Sequence, residues 1–183
     1  MIPYKKEKRD NAICFFAFNH KRKTGKYLPQ TFLYKYLAFL DFNSVKDTGE
    51  PVLGYQYKAM GRGPVPTSLY NKRENLETEL YVFKNLEEDK YIIKAKKEPN
   101  LSYFCDYEIK EMERLINQFA KPFTTTEEIS EVSHRKILAW GKTQRNKIID
   151  YKQNFRHDIL KKKEENLTPV EKHFLTFLAV NGS

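Results

Sequence analysis

The chain has 183 residues, of which 40% are hydrophobic and 31% charged, a globular balance rather than that of a disordered chain, and it is long enough for one domain with its own core. Its formal charge of +9 is uneven: residues 1–28 and 142–163 carry +6 each, leaving −3 for the remainder. Such basic blocks are first read as solvated helix faces; attraction of nucleic acid or acidic proteins is the alternative. No apolar run approaches a membrane span, so the expected location is the cytoplasm, with no membrane partner.

In chain order, Ile13, Phe16, Ala17 and His20 fall on one face and predict a helix over about 8–23, closed by Gly25. The run 12–18 (AICFFAF) is read as its buried part, because it is too short for a signal peptide and charges follow it at once. His20 is expected to pack or cap rather than bind a metal. A second, more apolar helix starts near Pro29 and carries Leu33, Tyr36, Leu37 and Leu40; it is expected to be central to the core. DTGEP (47–51) is turn chemistry.

A strand is predicted over 53–60, then a Gly/Pro turn, then a short helix over 67–75 capped by Thr67 or Ser68. Segments 78–86 and 90–98 read as a hairpin. Helices follow at 107–120 and 124–140, the second opened by a capping box of Thr125 and Glu128. The tail reads as two helical pieces, the last capped by Thr168 with Phe174, Leu175, Phe177 and Leu178 as its buried set. The expected fold class is α+β, a mainly helical single domain around a small, mostly antiparallel sheet of about three strands formed by 53–60 and the hairpin 78–98. The organisation is read as residues 1–154 for the main domain and 155–183 for a C-terminal helical extension.

Residues 61–66 (GRGPVP) invite a phosphate-loop reading, but GK[ST] is missing and Pro64 has no N–H to give to a nest of donors. The four histidines form no HExxH pattern. Ser133 and His134 are neighbours on a helix and point apart by about 100°, so they make no hydrolytic dyad. Asp41, Glu50 and Asp106 are scattered. Cys14 and Cys105 have no ligand spacing and are expected to be buried free thiols. No enzyme, metal or cofactor is therefore expected. Zinc-finger and RNP-type patterns are also missing, although the basic and aromatic stretch 134–153 has the composition to face a phosphate backbone.

Three pieces occur in a telling order: KYLAFLDF (35–42), GEPVLGYQYKAMGRGPVP (49–66), and SHRKILAW (133–140) with IIDY (148–151). Together they resemble the Panacea domain family, which includes SocA-like antitoxins and phage-associated proteins of the GepA type. The resemblance spans about residues 8–151 and rests on Lys35, Asp41, Tyr57, Ala59, Gly63, Pro64, Val65, Ser133, His134 and Trp140. Arg62 departs from it, standing where the family tends to have an aromatic. The resemblance implies an antitoxin that binds and neutralises a cognate toxin, some members instead delivering the toxin to a protease. It marks Lys35, Asp41, Tyr57, Gly63, Pro64, Val65, Ser133, His134 and Trp140 as signature positions for partner binding. Hydrophobic and cationic contacts are expected of a basic antitoxin, and a regulator that binds DNA at its own operon is the alternative. On local grounds Trp140 is expected in the core, His134 as a hydrogen-bonded residue holding its helix to the sheet, and Asp41 as an acceptor for N–H groups of the loop after its helix.

Overall fold

The computed structural model describes residues 2–181. Helix α1 (Lys5–Thr24) leads to a two-residue strand β1 (Leu28–Pro29), helix α2 (Gln30–Thr48), strands β2 (Tyr57–Met60) and β3 (Gly63–Pro66), and helix α3 (Thr67–Lys72). Strands β4 (Tyr81–Glu87) and β5 (Lys90–Ala95) precede α4 (Asp106–Phe119), α5 (Thr126–Lys136), α6 (Leu138–Lys142) and α7 (Pro169–Asn181). The chain is a single α+β domain, as its periodicities predict.

Helix α2 is the axis of the molecule. Every residue from Phe32 to Phe42 is buried, because α1, α4, α5, α7 and β3 pack around it. A helix apolar on all sides is stable only when enclosed in this way. Phe16 of α1 stacks on Tyr36 at 4.7 Å, and Phe119 of α4 stacks on Phe39 at 5.3 Å. Such pairs add about 1 kcal/mol each to the burial of their rings. His20 is enclosed in the same layer, its Nδ1 3.2 Å from the Tyr36 hydroxyl. Helix α1 ends at Gly25, whose N–H reaches the Lys21 carbonyl.

The strands depart from the expected sheet. Strands β4 and β5 pair antiparallel, but the third strand of their sheet is β1, with Leu28 opposite Ile93. The segment expected as 53–60 is regular only over Tyr57–Met60 and forms a separate hairpin with β3. The supposed turn Gly63–Pro66 is therefore a strand, and the turn itself is Gly61–Arg62. Proline is tolerated there because Pro64 and Pro66 stand opposite Ala59 and Tyr57, whose backbone groups face away from β3. Those groups bond instead to residues 146–149: Ala59 N–H to the Lys147 carbonyl at 2.9 Å, Asn146 N–H to Ala59 at 2.7 Å, and Ile149 N–H to Tyr57 at 2.8 Å.

Other expectations are corrected as well. Thr67 and Ser68 do not cap α3; the Thr67 hydroxyl donates to the Gln56 carbonyl. The helix expected over 124–140 breaks at Ile137, which is buried, and restarts as α6. Its capping box is present, with Glu128 N–H donating to the Thr125 hydroxyl and Thr125 N–H to Glu128. Cys105 is exposed at the start of α4, whereas Cys14 is buried; both thiols are free. In the tail, the basic stretch expected to be helical is a series of 3-10 turns between 151 and 166. Helix α7 forms with Thr168 and Glu171 in a reciprocal cap, but of its expected buried set only Phe174 is fully enclosed. Phe155, Ile159 and Phe174 gather on Val45 of α2 as a second, smaller apolar cluster.

Candidate partner-binding site

The signature positions fall into two groups, both organised by α2. The first surrounds Lys35. Its side chain runs beneath the β2–β3 tip and is 1% exposed. Its ammonium donates to the Pro64 carbonyl at 3.4 Å, the one hydrogen bond it makes among the described residues. Burial, then the nearby Arg62 charge, push its pKa down to about 7. Gly63 lets the chain pass this close. A Cβ there would stand 2.8 Å from Ser133 Oγ and 2.9 Å from Lys35 Cε, and its φ of 106° disfavours any side chain. Ser133 Oγ donates within α5 to the Ser130 carbonyl at 2.6 Å, which holds the hydroxyl in place beneath the tip.

His134 follows Ser133 and lies flat on Trp140, ring centroids 3.8 Å apart and planes within 4°. The break at Ile137 makes this possible, since α6 turns the indole back over α5. Trp140 Nε1 donates to the Met60 carbonyl at 3.2 Å, so the indole fastens the hairpin to α6. Stacking on Trp140 holds His134, whose Nε2 is enclosed without a partner, and a hydrogen bond to the Arg62 backbone ties it to the tip, the kind of contact expected of it. Burial and the Lys35 charge lower its pKa, opposed by the Arg62 backbone and Glu131.

The second group surrounds Asp41, which is fully buried. Oδ1 accepts N–H groups from Leu53 at 2.6 Å and Gly54 at 3.2 Å, and Oδ2 accepts Tyr55 N–H at 3.2 Å and the Tyr57 hydroxyl at 2.9 Å. This is the role expected of it, extended to a tyrosine. Burial pushes the carboxyl pKa up, and these donors oppose the shift. The Tyr151 hydroxyl adds a further donor, 2.7 Å from the Tyr55 carbonyl and 3.2 Å from Asp41 Oδ2.

Residues 33–141 match the family described as antitoxin SocA-like, Panacea domain. The chain belongs to this family. No curated protein and no solved structure matches it. The Panacea match begins inside α2 and ends inside α6, yet α1 and residues 146–151 complete the same core. Of the nine signature positions, Lys35, Asp41, Tyr57, Gly63, Pro64, Val65 and Ser133 are buried. His134 and Trp140 are partly exposed. The family pattern is thus largely a scaffold, which presents the tip Gly61–Arg62, the His134–Trp140 stack and their surroundings to solvent.

Three arginines, Arg62 and Arg145 exposed at that surface and Arg73 buried beside it, had no signal of their own in the sequence. Arg62 was visible only as a departure from the family pattern. Arg145 reaches Gly61 from a turn 84 positions away in the chain. Arg73 lies 3.8 Å over the Tyr70 ring and pairs with Asp89 at 2.8 Å. Each depends on contacts between distant segments, which local spacing does not encode.

Proposed function

We propose that this Panacea-domain protein is a binding protein rather than an enzyme, and that it neutralises a cognate toxin by direct contact. Membership of the SocA-like antitoxin family carries the reading. The buried signature supports it physically, because a rigid platform loses little entropy when its surface is covered. The surface around the β2–β3 tip offers an indole edge and exposed guanidinium groups, the residue types enriched at the energetic centres of interfaces.

The test is co-expression with the product of the adjacent gene. Growth should be arrested by that product alone and restored by this protein, and the two should co-purify. A neighbour that is harmless, or whose toxicity is unchanged, overturns the proposal. Toxin levels that fall only in cells with an intact protease complement would assign neutralisation to delivery for degradation.

A further inference from the structure

Four cationic side chains converge where the β2–β3 tip meets α2 and α3. Lys35, Arg62 and Arg145 line a cavity of about 290 Å3, together with Tyr34, Tyr70 and Asp89. Arg73 stands at its edge over Tyr70 and is the only one of the four with a carboxylate in ion-pair range among the described residues. That carboxylate, Asp89, is thereby engaged. Arg62 and Arg145 are exposed and unpaired among the described residues, although both sit on a folded support. Arg145 packs so closely on the tip that a Cβ at Gly61 would stand 2.9 Å from its guanidinium. Beneath them, the Lys35 ammonium has three donors and a single acceptor at 3.4 Å.

A buried ammonium with so few acceptors, walled by two free guanidinium groups, is an arrangement that a bound anion would relieve. We propose that this cavity receives the carboxylate of an acidic side chain presented by the bound toxin, gripped by Arg62 and Arg145 with Lys35 beneath it. The identity of the partner rests on the antitoxin reading above. A carboxylate suits the cavity better than a phosphoryl group. Guanidinium groups take carboxylates bidentately, and the Tyr34 and Tyr70 rings provide apolar walls for the methylenes of the incoming side chain. Phosphoryl sites draw on converging backbone N–H groups, and Pro64 and Pro66 remove two of these where the strand leads into α3.

The site is also sensitive to pH. The groups around Lys35 are the Arg62 and Arg145 guanidinium groups, the Asp89 carboxylate and the Tyr34 and Tyr70 phenols that share its cavity, and the Pro64 carbonyl, the Ser133 hydroxyl and His134 beside it, with Glu131 acting on His134 and Glu127 on Arg62. Lys35 titrates at about 7 in the unliganded fold. Its charge, and with it part of the anion affinity, is present below that pH and lost above it, while the arginines stay charged.

The test has two arms. In the first, the full chain is titrated with acetate and, separately, inorganic phosphate, while the side-chain nitrogen resonances of Lys35, Arg62 and Arg145 are followed by NMR. Saturable acetate binding is expected, weakened about tenfold or more by Arg62→Ala with Arg145→Ala, and weaker at about pH 8 than at about pH 6. In the second arm, the double variant is co-expressed with the adjacent gene product. It should lose neutralisation while keeping wild-type thermal unfolding. Absence of saturable acetate binding, a tenfold preference for phosphate, or full neutralisation by the double variant each overturns the proposal. Failure of the wild-type protein to neutralise sinks the antitoxin reading; acetate binding in the first arm would then mark a carboxylate site whose partner is not the toxin, which overturns the assignment of occupant.

Discussion

Lys35 and Asp41, two fully buried charges six residues apart on α2, do not pair. Six residues separate them by about 9 Å along the axis and by roughly two-thirds of a turn, so each faces a different layer. Asp41 is surrounded by donors, whereas Lys35 meets one distant carbonyl. Opposite energetic roles follow from this difference.

Asp41→Asn should destabilise the fold by about 3 kcal/mol, because an amide nitrogen would face N–H or phenol donors that now meet a carboxylate. Chemical denaturation of the variant checks this. A loss below about 0.5 kcal/mol would mean that the loop 53–55 does not depend on the carboxylate.

Lys35→Met should instead stabilise the fold, by about 2 kcal/mol near neutral pH. The folded-state pKa of Lys35 is depressed from 10.5 to about 7, so the unfolded chain binds more protons between those values. The wild-type protein therefore gains stability as pH rises through that window, and the variant should lack this gain. Urea midpoints measured across the window decide the matter.

Gly63→Ala and Gly25→Ala form a matched pair. Both positions have positive φ, 106° and 75°, but a Cβ at Gly25 meets nothing within 4 Å. Gly25→Ala should cost about 1 kcal/mol from backbone strain alone. Gly63→Ala should cost about 3 kcal/mol or more, since it also drives into Ser133 and Lys35. Equal losses in thermal unfolding would show that the contact beneath the tip is loose.

His20 has its pKa lowered by burial from 6.5 to about 4. The fold holds it neutral, so stability is fully present above 6.5 and declines as pH falls through that window, by up to about 3 kcal/mol. His20→Phe, which keeps an aromatic ring against Phe32 and Tyr36, should flatten this acid limb. An unchanged acid limb in the variant would assign the loss to other groups.

Trp140 is the only tryptophan, and it lies on His134. Protonating that imidazole places a cation against the indole. Emission should therefore titrate with a midpoint below 6.5, the direction in which burial and Lys35 move His134. In His134→Asn the titration should vanish. Its persistence would locate the responding group elsewhere.

The helices were legible because their stripes and caps are local. Leu33, Tyr36, Leu37 and Leu40 announce α2, and Thr125 with Glu128 announce the start of α5. The partnership of the strands was not. Leu28–Pro29 is too short to show a period, and Gly63–Pro66 reads as a turn because its two prolines are ordinarily excluded from ladders. Only the outward bonding of Tyr57 and Ala59 to residues 146–149 explains their tolerance, and that pairing spans almost half the chain. The roles of Lys35 and Trp140 were obscured for the same reason. Nothing in the periodicity of 124–140 signals the break at Ile137, which a tertiary burial decides.

The bonding of β2 to residues 146–149 bears on how the chain is made. During synthesis, α1, α2 and both hairpins emerge before residues 146–151, so for that interval one edge of β2 has no strand beside it and Asp41 lacks Tyr151. An open edge of this kind is a template for pairing with another nascent chain. The growing polypeptide thus passes through a window of vulnerability that closes about ninety residues after β2 leaves the ribosome, when the 146–149 segment arrives to seal it.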